Sequence, residues 1–241
     1  MIDLYTDIVP KKVGSSKVFQ EAALLLTDNG VHTIIANEQG LEPGYLDDMN
    51  HMLESRVIPL RVMPGGRVPI SERFIQESRG NFQTINDNNK YMLLHISHQE
   101  KPVYMESLIY ELQLDQLVPV ISEPERHPYF LEHKEELYKL VKQGALVQVS
   151  SDSIIGIHGK KVKQAAFEFL EHNLAHVVAS GVTLTNYKKY SLPKAYKLIE
   201  KAYGDSKVDM LMENAVAIVD GRGVQTLPPE RVKKAKFLGL F

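Results

Sequence analysis

The chain has 241 residues, 44% of them hydrophobic, enough to bury a large core without disulfides or structural metals. Its 28 basic and 30 acidic residues leave a net charge of -2, which argues against a bulk nucleic-acid binder, and the lack of cysteine excludes disulfides, thiolate zinc sites and cysteine nucleophiles. No run approaches the roughly 18 apolar residues of a membrane span, and Met1–Asp7 has no basic region followed by an apolar stretch, so no signal peptide is expected and a cytosolic home fits.

The chain alternates short apolar runs with helical patterns. Ile2–Tyr5 reads as the first strand. Ser16 is a candidate N-cap for a helix carrying Val18, Ala22, Leu25 and Leu26, stopped at Asn29-Gly30. Strand Thr33–Ala36 follows, then a helix over about Tyr45–Ser55, then strand Leu60–Met63. Ser71–Lys90, with Asn81, Asn86, Asn88 and Asn89, is the least regular stretch and reads as a surface loop after a short helix. Strand Met92–Ile96 precedes a helix opened by Pro102, with Met105, Leu108, Ile109 and Leu112 on one face. Strand Val118–Ile121 is followed by a helix opened by Pro128 and ending at Lys142-Gln143-Gly144. Strand Leu146–Val149 leads to a helix over Lys160–His172, and strand Val177–Ala179 to helices opened by Pro193 and spanning Val208–Val219. The strands are continuous apolar runs, as parallel strands buried on both faces should be. Seven βα units without a linker rich in Pro, Gly or Ser predict one α/β domain over residues 1–241, a closed or nearly closed parallel barrel. An open doubly wound sheet is the alternative. From about Gly223 to Phe241 runs a tail in which Arg231, Lys233, Lys234 and Lys236 precede Phe237-Leu238-Gly239-Leu240-Phe241.

Chemistry in such folds gathers at the carboxyl ends of the strands. Those ends offer Tyr5 and Asp7; Asn37, Glu38 and Gln39; Arg67; His95 and His98; Glu123, Glu125 and Arg126; Ser150, Ser151 and Asp152; Ser180 and Thr183. Any barrel of this kind carries a polar rim, and mutual pairing with helix capping accounts for much of it. A nucleophile elbow, a phosphate loop, a dinucleotide-binding glycine pattern and a His-Glu-x-x-His pair are all absent from the sequence. The nine histidines are scattered. His158, in a loop entering a helix, could meet an anion through neighbouring backbone N–H groups, although a plain βα loop explains it as well.

One stretch is more specific. Val118-Pro119-Val120-Ile121-Ser122-Glu123-Pro124-Glu125-Arg126-His127, then Leu140–Val149, Gly159-Lys160-Lys161 and Glu171–Ser180, together resemble the polymerase-and-histidinol-phosphatase (PHP) superfamily. More narrowly, the chain resembles the manganese-dependent tyrosine-protein phosphatases that act beside capsule and exopolysaccharide tyrosine kinases in Gram-positive bacteria. The likeness runs from Met1-Ile2-Asp3 to Asn214-Ala215. It implies a distorted TIM-like (β/α)7 PHP barrel whose strand ends hold a metal cluster that polarises phosphate and supplies hydroxide.

The departures from that pattern are systematic. Where the resemblance implies metal ligands, this chain has Tyr5 and Asp7 (a His-x-His in the family), Gln39, Arg67 (a glutamate), His95 (a glutamate), Glu123 (a histidine), and Gly181 and Thr183 (an Asp-x-His). Arg126, a phosphate-contacting arginine in the family, is retained. The expectation is a vestigial pocket with no metal and no catalytic residue, in which Arg67 enters the space of a cation and pairs with Glu123, with Asp7 as second acceptor. The implied function is that of a pseudophosphatase that binds the tyrosine-rich tail of a bacterial tyrosine kinase or another polysaccharide-assembly partner, in the cytoplasm or at the inner face of the membrane. An active phosphatase or other hydrolase with a single metal site rebuilt from Asp7, His95 and Glu123 is the alternative.

Overall fold

The computed structural model describes residues 1–10, 17–37, 41–71, 74, 83–99 and 101–232. Among them, β1 (Ile2–Asp7), β2 (Thr33–Ala36) and β3 (Arg61–Met63) are followed by β4 (Arg67–Ile70), β5 (Tyr91–Ile96), β6 (Val118–Ser122), β7 (Leu146–Ser150), β8 (Val177–Ala179) and β9 (Val182–Thr183). The outer helices are α1 (Lys17–Asp28), α2 (Tyr45–Ser55), α3 (Met105–Leu114), α4 (Pro128–Glu132), α5 (Lys134–Lys142), α6 (Ser151–Ile155), α7 (Lys160–Glu171), α8 (Leu192–Tyr203) and α9 (Asp205–Val219). All strand pairings are parallel, in the orders β3-β2-β1-β9 and β4-β5-β6-β7-β8.

These two arcs make one distorted barrel of seven strand positions, because the third and seventh strands are each broken in two. β3 pairs with β2, and after Pro64-Gly65-Gly66 the chain resumes as β4 and pairs with β5. β8 pairs with β7, and after Ser180-Gly181 it resumes as β9 and pairs with β1. Glycine is needed at both breaks. A Cβ on Gly65 would lie 2.2 Å from Ile35 Cγ2, and Gly181 sits at φ +64. The second seam is stitched by Asp3, whose fully buried carboxylate accepts from the Ser180 amide and the Tyr190 hydroxyl, each at 3.0 Å. The seven expected strands are all present, and β4 and β9 are the halves that sequence periodicity did not separate.

Alternation along the strands sorts side chains to two sides. Ile2, Leu4, Ile35, Tyr91, Leu93, Val120, Leu146, Val177 and Ala179 fill the barrel interior, sealed by Ala215, Ile218 and Val219 of α9. The outward set packs against helices: Met92, Leu94, Ile121, Val147 and Val178 in one cluster with α3, α5, α7 and α8, and Ile34 and Val62 in another with α1 and α2. Burial on this scale stabilises at roughly 25 cal/mol per Å² of apolar surface.

Two sequence expectations change, and the start of the tail is placed. The segment opened by Pro128 is two helices, interrupted at His133 (φ −121, ψ 60). The described part of the asparagine-rich stretch is docked rather than a surface loop. Ile85 is buried in the barrel interior, and the Asn86 and Asn88 side-chain amides donate to the carbonyls of Val219 and Ile218 at 3.1 and 2.7 Å. The tail is fixed through Val232: Glu230 N–H donates to His172 O, Arg231 pairs with Glu135 over the Tyr138 ring, and Val232 packs on the outer cluster. Lys233, Lys234, Lys236 and Phe237–Phe241 lie outside the described residues, as does the Ser16 cap. Among the described residues, no helix is long and apolar enough to cross a membrane.

Candidate functional site

The carboxyl ends of β1, β2, β4 and β5 enclose a cleft of about 230 Å³ lined by Tyr5, Asp7, Asn37, Arg67, Pro69 and His95. Strand register explains the company. Pro69 lies opposite His95, and Arg67, two residues earlier, shares its face, while Val68 and Ile70 point outward into the core. Tyr5 and Asp7 project from the end of β1, where Asp7 lies opposite Thr183 of β9. Asn37 donates from Nδ2 to Thr6 O at 3.0 Å, and its buried Oδ1 has no hydrogen-bond partner among the described residues.

Arg67 is the centre of this cleft. Its guanidinium carbon lies 4.8 Å from the Tyr5 ring centroid, a cation–π distance. Burial, reinforced by the charges of Arg67, His98, Arg126 and His127, pushes the His95 imidazole down to about 4, so it is neutral at physiological pH. Burial pushes the Tyr5 hydroxyl up to about 12 against the opposing pull of Arg67, so it remains a phenol. Arg67 therefore lines the cleft beside Tyr5 and His95.

The expected Arg67–Glu123 pair is replaced. Glu123 Oε2 accepts from Arg126 Nη1 at 2.8 Å, with the Glu123 side chain 7% and the Arg126 side chain 32% exposed. The reason is local. Pro124–Arg126 forms a 3-10 turn with Glu123 as its N-cap, and three-residue spacing in such a turn eclipses side chains. Glu123 itself holds a left-handed conformation (φ 51, ψ 44), uncommon for a residue with a Cβ. Arg126, the phosphate-binding candidate, thus stands at the mouth with one carboxylate already attached.

The other sequence candidates sort clearly. A Cβ on Gly181 would meet Tyr5 Cε1 at 3.3 Å and Glu123 Oε1 at 3.6 Å, which places Gly181 against both but gives it nothing to ligate with. The Thr183 hydroxyl is within hydrogen-bond distance of Thr185 Oγ1, at 2.8 Å. Gln39 lies outside the described residues. Sequence reasoning named Glu125 on the rim without giving it a role, and the structure buries it fully beneath the mouth. Its Oε1 accepts from the Ser150 amide at 2.8 Å, while burial and then the nearby Glu123 charge push its carboxyl up to about 8. It also set His158 aside, yet the imidazole stands near Arg126, Asp152 and Glu123 and is lowered by burial and then by Arg126. His98 and His127, 5.7 Å apart by ring centroid, extend the same rim. His127 caps α4 by accepting from the Tyr129 amide and lies 2.9 Å from Ser97 O.

These residues do not fit a cluster of divalent cations. Among the described residues the oxygen and nitrogen donors in the cleft are one exposed carboxylate, an amide oxygen, a neutral imidazole and a phenol, and a guanidinium stands among them. Like charge opposes a cation there, and Glu123 is already engaged by Arg126. Among the described residues no group of three or more His, Asp or Glu side chains could hold a metal ion.

Comparison with known proteins agrees with the resemblance read from the sequence. The family model for capsular polysaccharide synthesis, CpsB/CapC, matches residues 1–220. Tyrosine-protein phosphatase YwqE of Bacillus subtilis strain 168 is 33% identical over the whole of both chains. Tyrosine-protein phosphatase CpsB of Streptococcus agalactiae is 24% identical over 91% of this chain and 98% of its own. A crystal structure described as one of YwqE from Bacillus subtilis and CpsB from Streptococcus pneumoniae, metal-dependent tyrosine phosphatases, superposes with a TM-score of 0.86 at 32% identity, covering 97% of this chain and 100% of the other. The phosphotriesterase homology protein of Escherichia coli, 11% identical with a TM-score of 0.54 over 86% of this chain and 94% of its own, shares the fold alone. The chain belongs to the CpsB/CapC capsular polysaccharide synthesis family.

Proposed function

We propose that this chain is a member of the family that has given up metal-dependent hydrolysis and works by binding. Its partner is the tyrosine-rich tail of a bacterial tyrosine kinase, or another component of polysaccharide assembly, met in the cytoplasm or at the inner face of the membrane. The observation that carries the reading is the Arg67 guanidinium stacked on Tyr5 inside the cleft. A fixed cation supplies the positive charge that a phosphatase of this kind takes from its metals, but it cannot generate hydroxide. Arg126 keeps its place at the mouth, so the affinity for an acidic or phosphorylated group outlives the chemistry.

The test is elemental analysis of manganese-supplemented protein together with hydrolysis of a phosphotyrosine peptide in added manganese. The expected outcome is no stoichiometric metal and no turnover above buffer. One or more metal ions per chain with turnover would overturn the reading in favour of a hydrolase with a rebuilt site. A pull-down with phosphorylated and unphosphorylated kinase tails then separates a binding role from a purely structural one.

A further inference from the structure

The mouth is electrically two-sided. On the side built by β1 and β2 the exposed charges include Asp7, Glu42 and Asp47. On the side built by the loops after β7 and β9 they are basic: Lys160 and Lys161 in the first turn of α7, then Lys188 and Lys189 beyond β9, with the half-buried Arg126 and His158 behind them. These loops touch one another. Lys189 lines a small cleft with Asp152 and Ser180, and His158 stands within electrostatic reach of Asp152, Arg126 and Glu123.

The acidic groups inside the basic arc are engaged locally, Glu123 by a cation and Asp152 by a hydroxyl. Asp152 accepts from the Ser191 hydroxyl at 2.6 Å, and Glu123 is held by Arg126. Among the described residues, no ion pair involves Lys160, Lys161, Lys188 or Lys189. At the edge of the same arc, between α6 and α7, Ile157 is 65% exposed, an apolar side chain in a basic collar.

We infer that this arc is a docking surface for an acidic, extended segment of a partner protein, with an apolar residue of that segment resting on Ile157. The inference rests on the binding reading above and deepens it by giving the partner's chemistry and the side from which it enters. Spread positive charge steers and orients an acidic chain, and an exposed apolar side chain inside such a collar supplies the short-range contact that fixes its register. The two-sided mouth favours a peptide over an anionic bilayer. A plane laid across the mouth would press on Asp7, Glu42 and Asp47 as well, whereas a peptide can follow the basic side alone.

The experiment is fluorescence anisotropy of labelled poly(Glu,Tyr) with the full chain, across a salt series. The expected result is binding that weakens steadily as salt rises. It should fall at least about tenfold in Lys160→Glu with Lys161→Glu, and several-fold in Ile157→Ser. Asp47→Asn, on the opposite side, serves as control and should leave it unchanged. Thermal melts of each variant establish that it is folded. Absence of binding by the folded parent, or equal binding by the charge-reversed variant, overturns the inference. So does stronger association with phosphatidylglycerol vesicles than with the polymer, which would make the arc a lipid-facing surface. Phosphatase turnover in manganese, by contrast, would overturn the binding-only reading while leaving the anisotropy result intact, so the two failures are distinguishable.

Discussion

Glu125 offers the sharpest physical test. Its carboxyl is fully buried below the mouth, with one oxygen held by the Ser150 amide. Among the described residues the other oxygen has no partner within ideal hydrogen-bond geometry, and the Ser153 hydroxyl stands close enough to weigh on its ionisation. Ser153 and the backbone favour the ionised form, yet burial and the Glu123 charge outweigh them and push the carboxyl up to about 8. The sign follows from linkage. The folded state holds this proton more tightly than the unfolded chain, so stability is fully present below the unfolded value of about 4.5 and is lost as pH rises through about 8. Between about pH 6 and about pH 9 the loss from this one group is on the order of 3 kcal/mol. Glu125→Gln keeps an oxygen for the Ser150 amide and cannot ionise. Urea denaturation across that range should show the parent losing stability toward alkali and the variant staying nearly flat, with the variant ahead at high pH. Parallel curves for the two proteins would refute the assignment of a neutral buried carboxyl.

Other perturbations follow from the same geometry. Arg126→Met should destabilise the fold by about 1–3 kcal/mol, because it strands the buried Glu123 carboxylate. Adding Glu123→Gln should recover part of that loss, read as a coupling term in a urea double-mutant cycle. Gly181→Ala should cost about 1–2 kcal/mol, since φ +64 disfavours a Cβ that would also press Tyr5 at 3.3 Å; the melting temperature reports it. His176 is buried, with Nδ1 accepting from the Val147 amide at 3.1 Å, and burial pushes it down to about 4. The unfolded chain protonates this group first, so its contribution is intact above about pH 6.5. It should fall by about 3 kcal/mol as pH drops to about 4, a loss that His176→Gln should remove in acid denaturation curves.

Much of this was legible in the sequence, and what was not has identifiable causes. Strands such as Thr33–Ala36 and Val177–Ala179 were readable because burial on both faces writes a continuous apolar run. β4 was not, since Arg67-Val68-Pro69-Ile70 carries a charge and a proline, and its parallel pairing with β5 is a tertiary fact. β9 is two residues long and leaves no period at all. The break at His133 carries neither glycine nor proline, so nothing local announced it.

The site divides the same way. Position at the strand ends marked Tyr5, Asp7, Arg67 and His95 as rim residues, and strand register brings them into one cleft. Pairing was another matter. Charge balance alone favours any cation for Glu123, and it cannot choose between Arg67, which stands on a different strand, and Arg126, three residues on. Chain connectivity makes the choice. The 3-10 turn holds Arg126 beside Glu123 at little further entropic cost. Arg67 stacks on Tyr5 in the cleft that it shares with a neutral imidazole and an exposed Asp7. That division of labour, one arginine neutralising Glu123 and the other standing beside Tyr5, leaves the mouth a folded, cation-bearing cleft.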